Sequence, residues 1–241
     1  MRKSILKLAA MSVAMSAMAI SAPAFAQDEA AEEASGPITL TGGIAVVSDY
    51  RFRGVSLSDK DFAVQPYLTV KHESGFYVGV WGSNIAENTG DDIEVDLYAG
   101  FSGGDAVTYD IGATYYVYPG ISGLNYVEFT GKLGTTVGPA TIGGQLSYVP
   151  SQDNTGNTDN IYVATNVAFT IPDSPITLTG SVGLEDGAFT GGTSKIDWSL
   201  GATAAVSGFT LGVAYVDTDR NQTFAPRDSK AGVVFSLSYG F

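Results

Sequence analysis

The sequence predicts an all-β chain, an antiparallel transmembrane β-barrel of about twelve strands behind a cleaved signal peptide. Three observations lead there. From Ile38 onward apolar and polar residues alternate with period 2, the pattern of strands with two unlike faces. The connections between the alternating segments are short and long by turns. The N-terminus reads as an export signal, and no later window holds the roughly 20 apolar residues of a membrane helix.

In the signal, Arg2, Lys3 and Lys7 form a positive leader, residues 8–20 are apolar and rich in Ala and Met, and Ala24-Phe25-Ala26 places small residues for cleavage after Ala26. Removing it from 241 residues leaves 215, the size of one domain. An acidic, Ala-rich segment follows (residues 27–37, with Asp28, Glu29, Glu32 and Glu33) and suits a flexible leader; residues 38–241 form the barrel. The signal carries three of the 12 basic residues and none of the 25 acidic ones, so the mature chain has a net charge of −16. That balance disfavours nucleic acid and anionic surfaces as partners. There is no Cys, hence no disulfide framework and no thiolate chemistry.

The alternating segments lie near 38–49, 61–72, 75–85, 92–102, 106–118, 124–136, 139–150, 160–171, 175–186, 194–206, 208–217 and 230–241. In the fourth, Ile93, Val95, Leu97, Ala99 and Phe101 share one side, while Glu94, Asp96, Tyr98 and Gly100 share the other. The fifth sets Val107, Tyr109, Ile111, Ala113, Tyr115 and Val117 against Thr108, Asp110, Gly112 and Thr114. Short turns at 72–75, 103–105, 137–139, 172–175 and 207–208 alternate with longer polar loops at 50–61, 86–91, 119–123, 151–159, 187–193 and 218–229. Short periplasmic turns and long outside loops are the layout of an outer-membrane barrel. Lipid offers no hydrogen bonds to the backbone, so a β structure that spans it must close on itself.

Aromatic residues of the apolar parity gather at strand ends as two interfacial girdles: Phe76, Phe101, Tyr109, Phe169, Phe209, Tyr239 and Phe241 at the short-turn end, and Tyr50, Phe62, Tyr115, Tyr148 and Tyr215 at the loop end. Phe235, Leu237, Tyr239 and Phe241 alternate up to a last Phe, the kind of end that the outer-membrane assembly machinery reads. Pro66 falls inside the second strand, where it removes a ladder hydrogen bond, so a bulge or a break in pairing is expected there.

Four stretches, SDYRFRG (48–54), SGFYVGVWGSN (74–84), IEVDLYAGF (93–101) and YDIGATYYVYPG (109–120), resemble in sequence and order the TorF-type porin family of Gram-negative bacteria, conserved outer-membrane barrels of otherwise unknown function. The resemblance covers nearly all of the mature chain. It implies the barrel fold and an outer-membrane location, and it carries over no catalytic or ligand residues.

Parity places Asp49, Arg51 and Arg53 on one face at the mouth of the lumen, with Tyr50 and Phe52 on the other at the membrane interface. Asp59 and Asp61 open the next strand within reach of the guanidiniums, whose fork suits carboxylates. Two readings stand: ion pairs that fix the first hairpin at the rim, or a selectivity element that meets solutes. Deeper in the lumen the inward parity holds Glu94, Asp96, Asp110, Glu128, Glu185 and Asp197 against Lys71, Lys132 and Lys195, an excess of acid that favours cations. Inward Tyr67, Tyr77, Trp81 and Tyr98 are bulky enough to narrow the lumen.

Enzymatic readings find little. The one His, His72, lies in a predicted turn beside Glu73, away from any nucleophile. Glu94 and Asp96 form a charged wall rather than a glycosidase pair. The Gly-rich stretches 189–194 and 102–105 lack the lysine and the helix of a phosphate loop. Asp153, Asn154, Asn157, Asp159 and Asn160 match no defined calcium loop. The reading is therefore a non-enzymatic outer-membrane porin without cofactor, passing small hydrophilic solutes or ions. The alternative is a closed barrel with a structural, adhesive or lipid-handling role. Its partners would be outer-membrane lipid, the assembly machinery through Phe241, and the solutes; no interface signal fixes an oligomeric state.

Overall fold

A computed structural model describes residues 36–86, 92–120, 123–219 and 229–241. The predicted signal peptide, residues 27–35 of the leader and parts of three predicted loops lie outside the described residues. The strands are β1 (Ile38–Val47), β2 (Arg51–Phe52), β3 (Val55–Ser56), β4 (Ala63–His72), β5 (Phe76–Asn84), β6 (Ile93–Gly104), β7 (Val107–Val117), β8 (Tyr126–Val137), β9 (Ala140–Val149), β10 (Asn160–Thr170), β11 (Ile176–Gly187), β12 (Lys195–Val206), β13 (Phe209–Thr218) and β14 (Gly232–Gly240). Twelve of them, β1 and β4 to β14, pair antiparallel with their sequence neighbours and close into a barrel through β1 and β14. The remaining two, β2 and β3, make a small hairpin of their own.

The period-2 pattern becomes two surfaces. Ile93, Leu97 and Phe101 of β6 are exposed on the outside while Glu94, Asp96 and Ser102 are buried within the barrel. The same holds in β11, where Leu178, Val182 and Leu184 face out and Glu185 faces in. A soluble protein does not expose so continuous an apolar band, whereas hydrocarbon matches it. Tight turns at one end join β4 to β5, β6 to β7, β8 to β9, β10 to β11 and β12 to β13, and the longer loops lie at the other end. Gly75 and Gly104 take φ of 101° and 102° in these turns, a region that a side chain would strain. At the turn end the aromatic girdle is exposed as expected, from Phe76 and Phe101 to Tyr239 and Phe241; at the loop end Phe62, Tyr115, Tyr148 and Tyr215 form its counterpart.

Pro66 breaks pairing on one edge only. It still sits opposite Ile44 of β1. On the β5 side the ladder runs from Lys71 opposite Tyr77 to Tyr67 opposite Trp81 and stops. Past that point the Asn84 side chain stands in for the ladder, donating to the Phe62 carbonyl at 2.9 Å and accepting from the Val64 N–H at 2.8 Å. At the turn end, Phe241 exchanges two backbone hydrogen bonds with Gly42, at 2.8 and 3.0 Å, and extends the seam between the first and last barrel strands.

One expectation fails at the first loop. Alternation carried past Val47 puts Tyr50 and Phe52 at the membrane interface, but Tyr50 is buried and Phe52 packs against the apolar cluster of Val47, Trp81, Val216 and Val234 inside the barrel. The strand ends at Val47, and the chain turns into the lumen instead of standing outside it. Parity has no meaning once the ladder stops.

Candidate functional site: the lumen and its inserted hairpin

The inserted hairpin is built around a two-residue turn. Arg51 pairs with Ser56 and Phe52 with Val55, and Arg53 and Gly54 between them both have positive φ, 49° and 85°. Two such residues make the turn whose twist matches a hairpin. Gly adopts that conformation freely; Arg at the first position costs about 1–2 kcal/mol, which its contacts must offset. Gly54 also sits where a Cβ would lie 2.9 Å from Cβ of Asp197 and 3.0 Å from Cβ of Thr218, so the tip rests directly on the wall of β12 and β13.

Arg53 pins this tip. Its guanidinium donates to Glu128 of β8 at 2.5 Å and to Glu185 of β11 at 2.7 Å. It lies over the Tyr162 ring at 4.2 Å and the Phe52 ring at 4.6 Å, which adds cation–π attraction to the two ion pairs. Lys195 donates to the Arg53 carbonyl at 2.8 Å and pairs with Glu185 at 2.6 Å. Asn160 adds a bond to Glu185 at 3.1 Å. In the ring order β8 stands five strands from β1, so a hairpin rooted after β1 and held to β8 reaches across most of the loop end.

Arg51 holds the base. Its Nε donates to Asp49 at 2.6 Å, and Nη1 donates to the carbonyls of Gly54 and Lys230 at 3.0 and 2.9 Å. Asp49 also accepts from the Ser56 hydroxyl at 2.6 Å. Both arginine side chains are nearly inaccessible, 0% and 5% exposed. Among the described residues, Asp49, Glu128 and Glu185 pair with the two guanidiniums. Asp61 lies exposed at the rim, where its carbonyl accepts the Ser58 hydroxyl at 2.7 Å.

Tyrosines surround the other acids at this level. Tyr50 and Tyr118 donate to the two oxygens of Glu94 at 3.0 and 3.2 Å, and Tyr50 packs on Trp81 with ring centroids 5.4 Å apart. Burial, reinforced by Glu94 and Asp96, pushes the Tyr50 phenol well above its ordinary range, so it remains a donor at neutral pH. Tyr116 stacks on Tyr126 at 4.5 Å, and Tyr126 meets Phe189 at 5.1 Å. Asp96 and Asp197 face the same space; Tyr162 donates to Asp197 at 3.2 Å.

Toward the turn end the wall of the lumen becomes unequal. Tyr67, Tyr77, Trp81 and Tyr98 crowd the side of β4 to β6. The inward positions of β11 to β14 are small or hydroxylated, among them Thr179, Ser181, Ser199, Thr203, Gly212 and Ser236. Lys71, Asp110 and Lys132 line a cavity of about 320 Å³ at this end. His72, the last residue of β4, is exposed, and its ring nitrogen is bonded to Ser74 in the following turn.

Of the charges that alternation put on the inner side of the barrel strands, Glu94, Asp96, Asp110, Glu128, Glu185, Lys195 and Asp197 are buried, and Lys71 and Lys132 are half-buried along the cavity. The sequence marks Glu128 and Glu185 only as inward acids and Asn160 only as a calcium candidate, and it gives Gly54, Tyr116, Tyr126 and Tyr162 no mark of their own. A signal for the hairpin exists in the sequence: Arg-Gly between Phe52 and Val55 is an X-Gly turn between apolar residues.

A closed twelve-strand barrel with an apolar exterior and a charged, hydroxylated interior has the fold of outer-membrane porins. Solved structures with that fold include the NanC porin (12% identity, 84% of this chain and 99% of that one, TM-score 0.56) and the KdgM porin (7% identity, 83% and 98%, TM-score 0.55). A second KdgM structure, in complex with disordered oligogalacturonate, is similar at 6% identity over 84% and 97% of the two chains, with a TM-score of 0.55. By sequence the chain belongs to the Gcw_chp family, described as a bacterial protein of unknown function, whose sequence model matches residues 31–239. No curated protein matches the sequence.

Proposed function

We propose that the protein is an outer-membrane porin that lets small hydrophilic solutes or ions diffuse passively, through a lumen narrowed at its loop end by the first-loop hairpin. The observation that carries this reading is the half-buried lining of Ser, Thr and Gly beneath the hairpin, which gives water and polar solutes a hydrogen-bonding wall inside a closed barrel. The likeness to NanC and KdgM and the TorF-type motifs support it. Arg53 fixes the constriction, and Asp49, Glu94, Asp96, Glu128, Glu185 and Asp197 outnumber Arg51, Arg53 and Lys195 among the described residues at its level. The pore accordingly prefers cations. Single-channel recording of the refolded barrel under a salt gradient tests both parts. Discrete steps with a cation-selective reversal potential are expected; anion preference would remove the selectivity argument.

The hairpin also favours a second reading, a barrel that is closed at rest, because it occupies the loop end with buried ion pairs. A correctly folded barrel that stays electrically silent would select it over the porin. The apolar belt is the surface for outer-membrane lipid, and exposed Phe241 at the β1–β14 seam is the contact for the assembly machinery. Phe241→Ala is expected to lower the amount of barrel inserted in cells while the purified chain still refolds in detergent. Equal insertion of the two proteins would discard that role.

A further inference from the structure

We propose that the turn-side chamber is a binding subsite for a small monocarboxylic acid that also carries a hydroxyl or an amino group. As a stop on the solute's path, it rests on the porin reading above.

The chamber lies at the other end of the lumen from the hairpin. Its volume of about 320 Å³ falls at the small end of ligand pockets, roughly 300–1,000 Å³. It equals about ten waters at their share of the liquid. The β-ladder sets its polar groups in an arc: Ser102 of β6 is in register with Asp110 of β7, Asp110 with Lys132 of β8, and Lys132 with Gln145 of β9. Lys71 reaches the same arc from β4 and donates to Ser102 at 2.8 Å. An ammonium has three donors, so this bond leaves Lys71 able to grip an oxyanion as well. Asn166 closes the arc on β10, with its amide laid where a Cβ on Gly143 would be.

Asp110 sets the second half of the ligand. Its Oδ1 accepts the Tyr77 hydroxyl at 3.0 Å, while its Oδ2 is buried and accepts no hydrogen bond among the described residues. A buried carboxylate oxygen without a donor is costly, and a ligand O–H or N–H answers it. Two ammonium groups around one carboxylate thus define a site with a place for an anion and, beside it, a place for a donor. Glu73, the other acid of the lining, is exposed in the β4–β5 turn. The lining sets two lysines against Asp110 and Glu73, without the excess of acid found at the constriction, so the class of solute it holds does not follow from the cation preference there.

Calorimetric titration of the refolded barrel in detergent with glycerate and with serine tests the subsite, with propionate and glycerol as probes that lack one half of the recognition. Saturable binding of glycerate and serine is expected, at least tenfold tighter than either half-probe. Lys132→Met and Lys71→Met should each weaken both ligands, and Asp110→Asn should weaken serine more than glycerate, because it removes the partner of the ammonium. Heat-modifiable gel mobility identifies variants that have lost the barrel, and the two lysine variants stand in for each other if one does not fold. No saturable heat, equal affinity for the half-probes, or indifference of binding to both lysines would overturn the subsite. Conduction is read separately: an open channel without binding removes the subsite and keeps the porin, and binding by a silent barrel does the reverse.

Discussion

Arg53→Ala is expected to destabilise the barrel and to raise its single-channel conductance. Removing one partner of a fully buried pair costs about 3–5 kcal/mol, because the charge left behind has neither water nor a counter-ion. Here the loss concentrates on Glu128. Glu185 keeps Lys195 at 2.6 Å and Asn160 at 3.1 Å, whereas Glu128 keeps only the Tyr116 hydroxyl, at 3.4 Å, among the described residues. The water that reaches the lumen lowers the figure, so the lower end of the range is expected. Adding Glu128→Gln to Arg53→Ala should recover most of the stability, since the stranded charge is gone, yet leave the conductance high, since the hairpin tip is still unpinned. Denaturant midpoints and channel recordings on the four proteins of this cycle separate the two effects. If neither quantity moves in Arg53→Ala, the guanidinium is a bystander and the hairpin is held by its backbone and rings alone.

Gly183→Ala is expected to cost about 1–3 kcal/mol by overpacking, and to act on the hairpin from a distance. Gly183 of β11 lies under the Tyr162 ring, and a Cβ there would stand 2.5 Å from two ring carbons. The ring must lift, and it is the ring on which the Arg53 guanidinium rests at 4.2 Å and whose hydroxyl reaches Asp197. The substitution should therefore reproduce, in weaker form, the conductance change of Arg53→Ala. In a Tyr162→Leu background, where no ring covers Gly183, the same substitution should be close to neutral. Equal costs in the two backgrounds would show that the clash is not what Gly183 avoids. The same device recurs where Tyr98 covers Gly79 and Tyr77 covers Gly100, which indicates that glycines across from inward tyrosines serve ring packing more than backbone freedom.

Much of the barrel was legible in residues 38–241. Each strand carries its own period-2 record, so Glu94, Asp96 and Asp110 could be assigned to the lumen from their immediate neighbours, and Pro66 announced the edge at which pairing stops. The record fails where the ladder does. Between Val47 and Ala63 nothing local says whether a loop of mixed aromatic and charged residues stands in water or turns inward, and parity misplaced Tyr50 and Phe52 for that reason.

The sequence by itself determined the strand count, the face of each strand residue and the excess of acid in the lumen, because alternation is a property of neighbouring residues. Only the tertiary structure decided that the two arginines are a base and a pin instead of a pair at the rim. Glu128 and Glu185 lie 75 and 132 residues from Arg53, and what brings them within 3 Å of it is the closure of twelve strands in one register, to which no short stretch of chain refers.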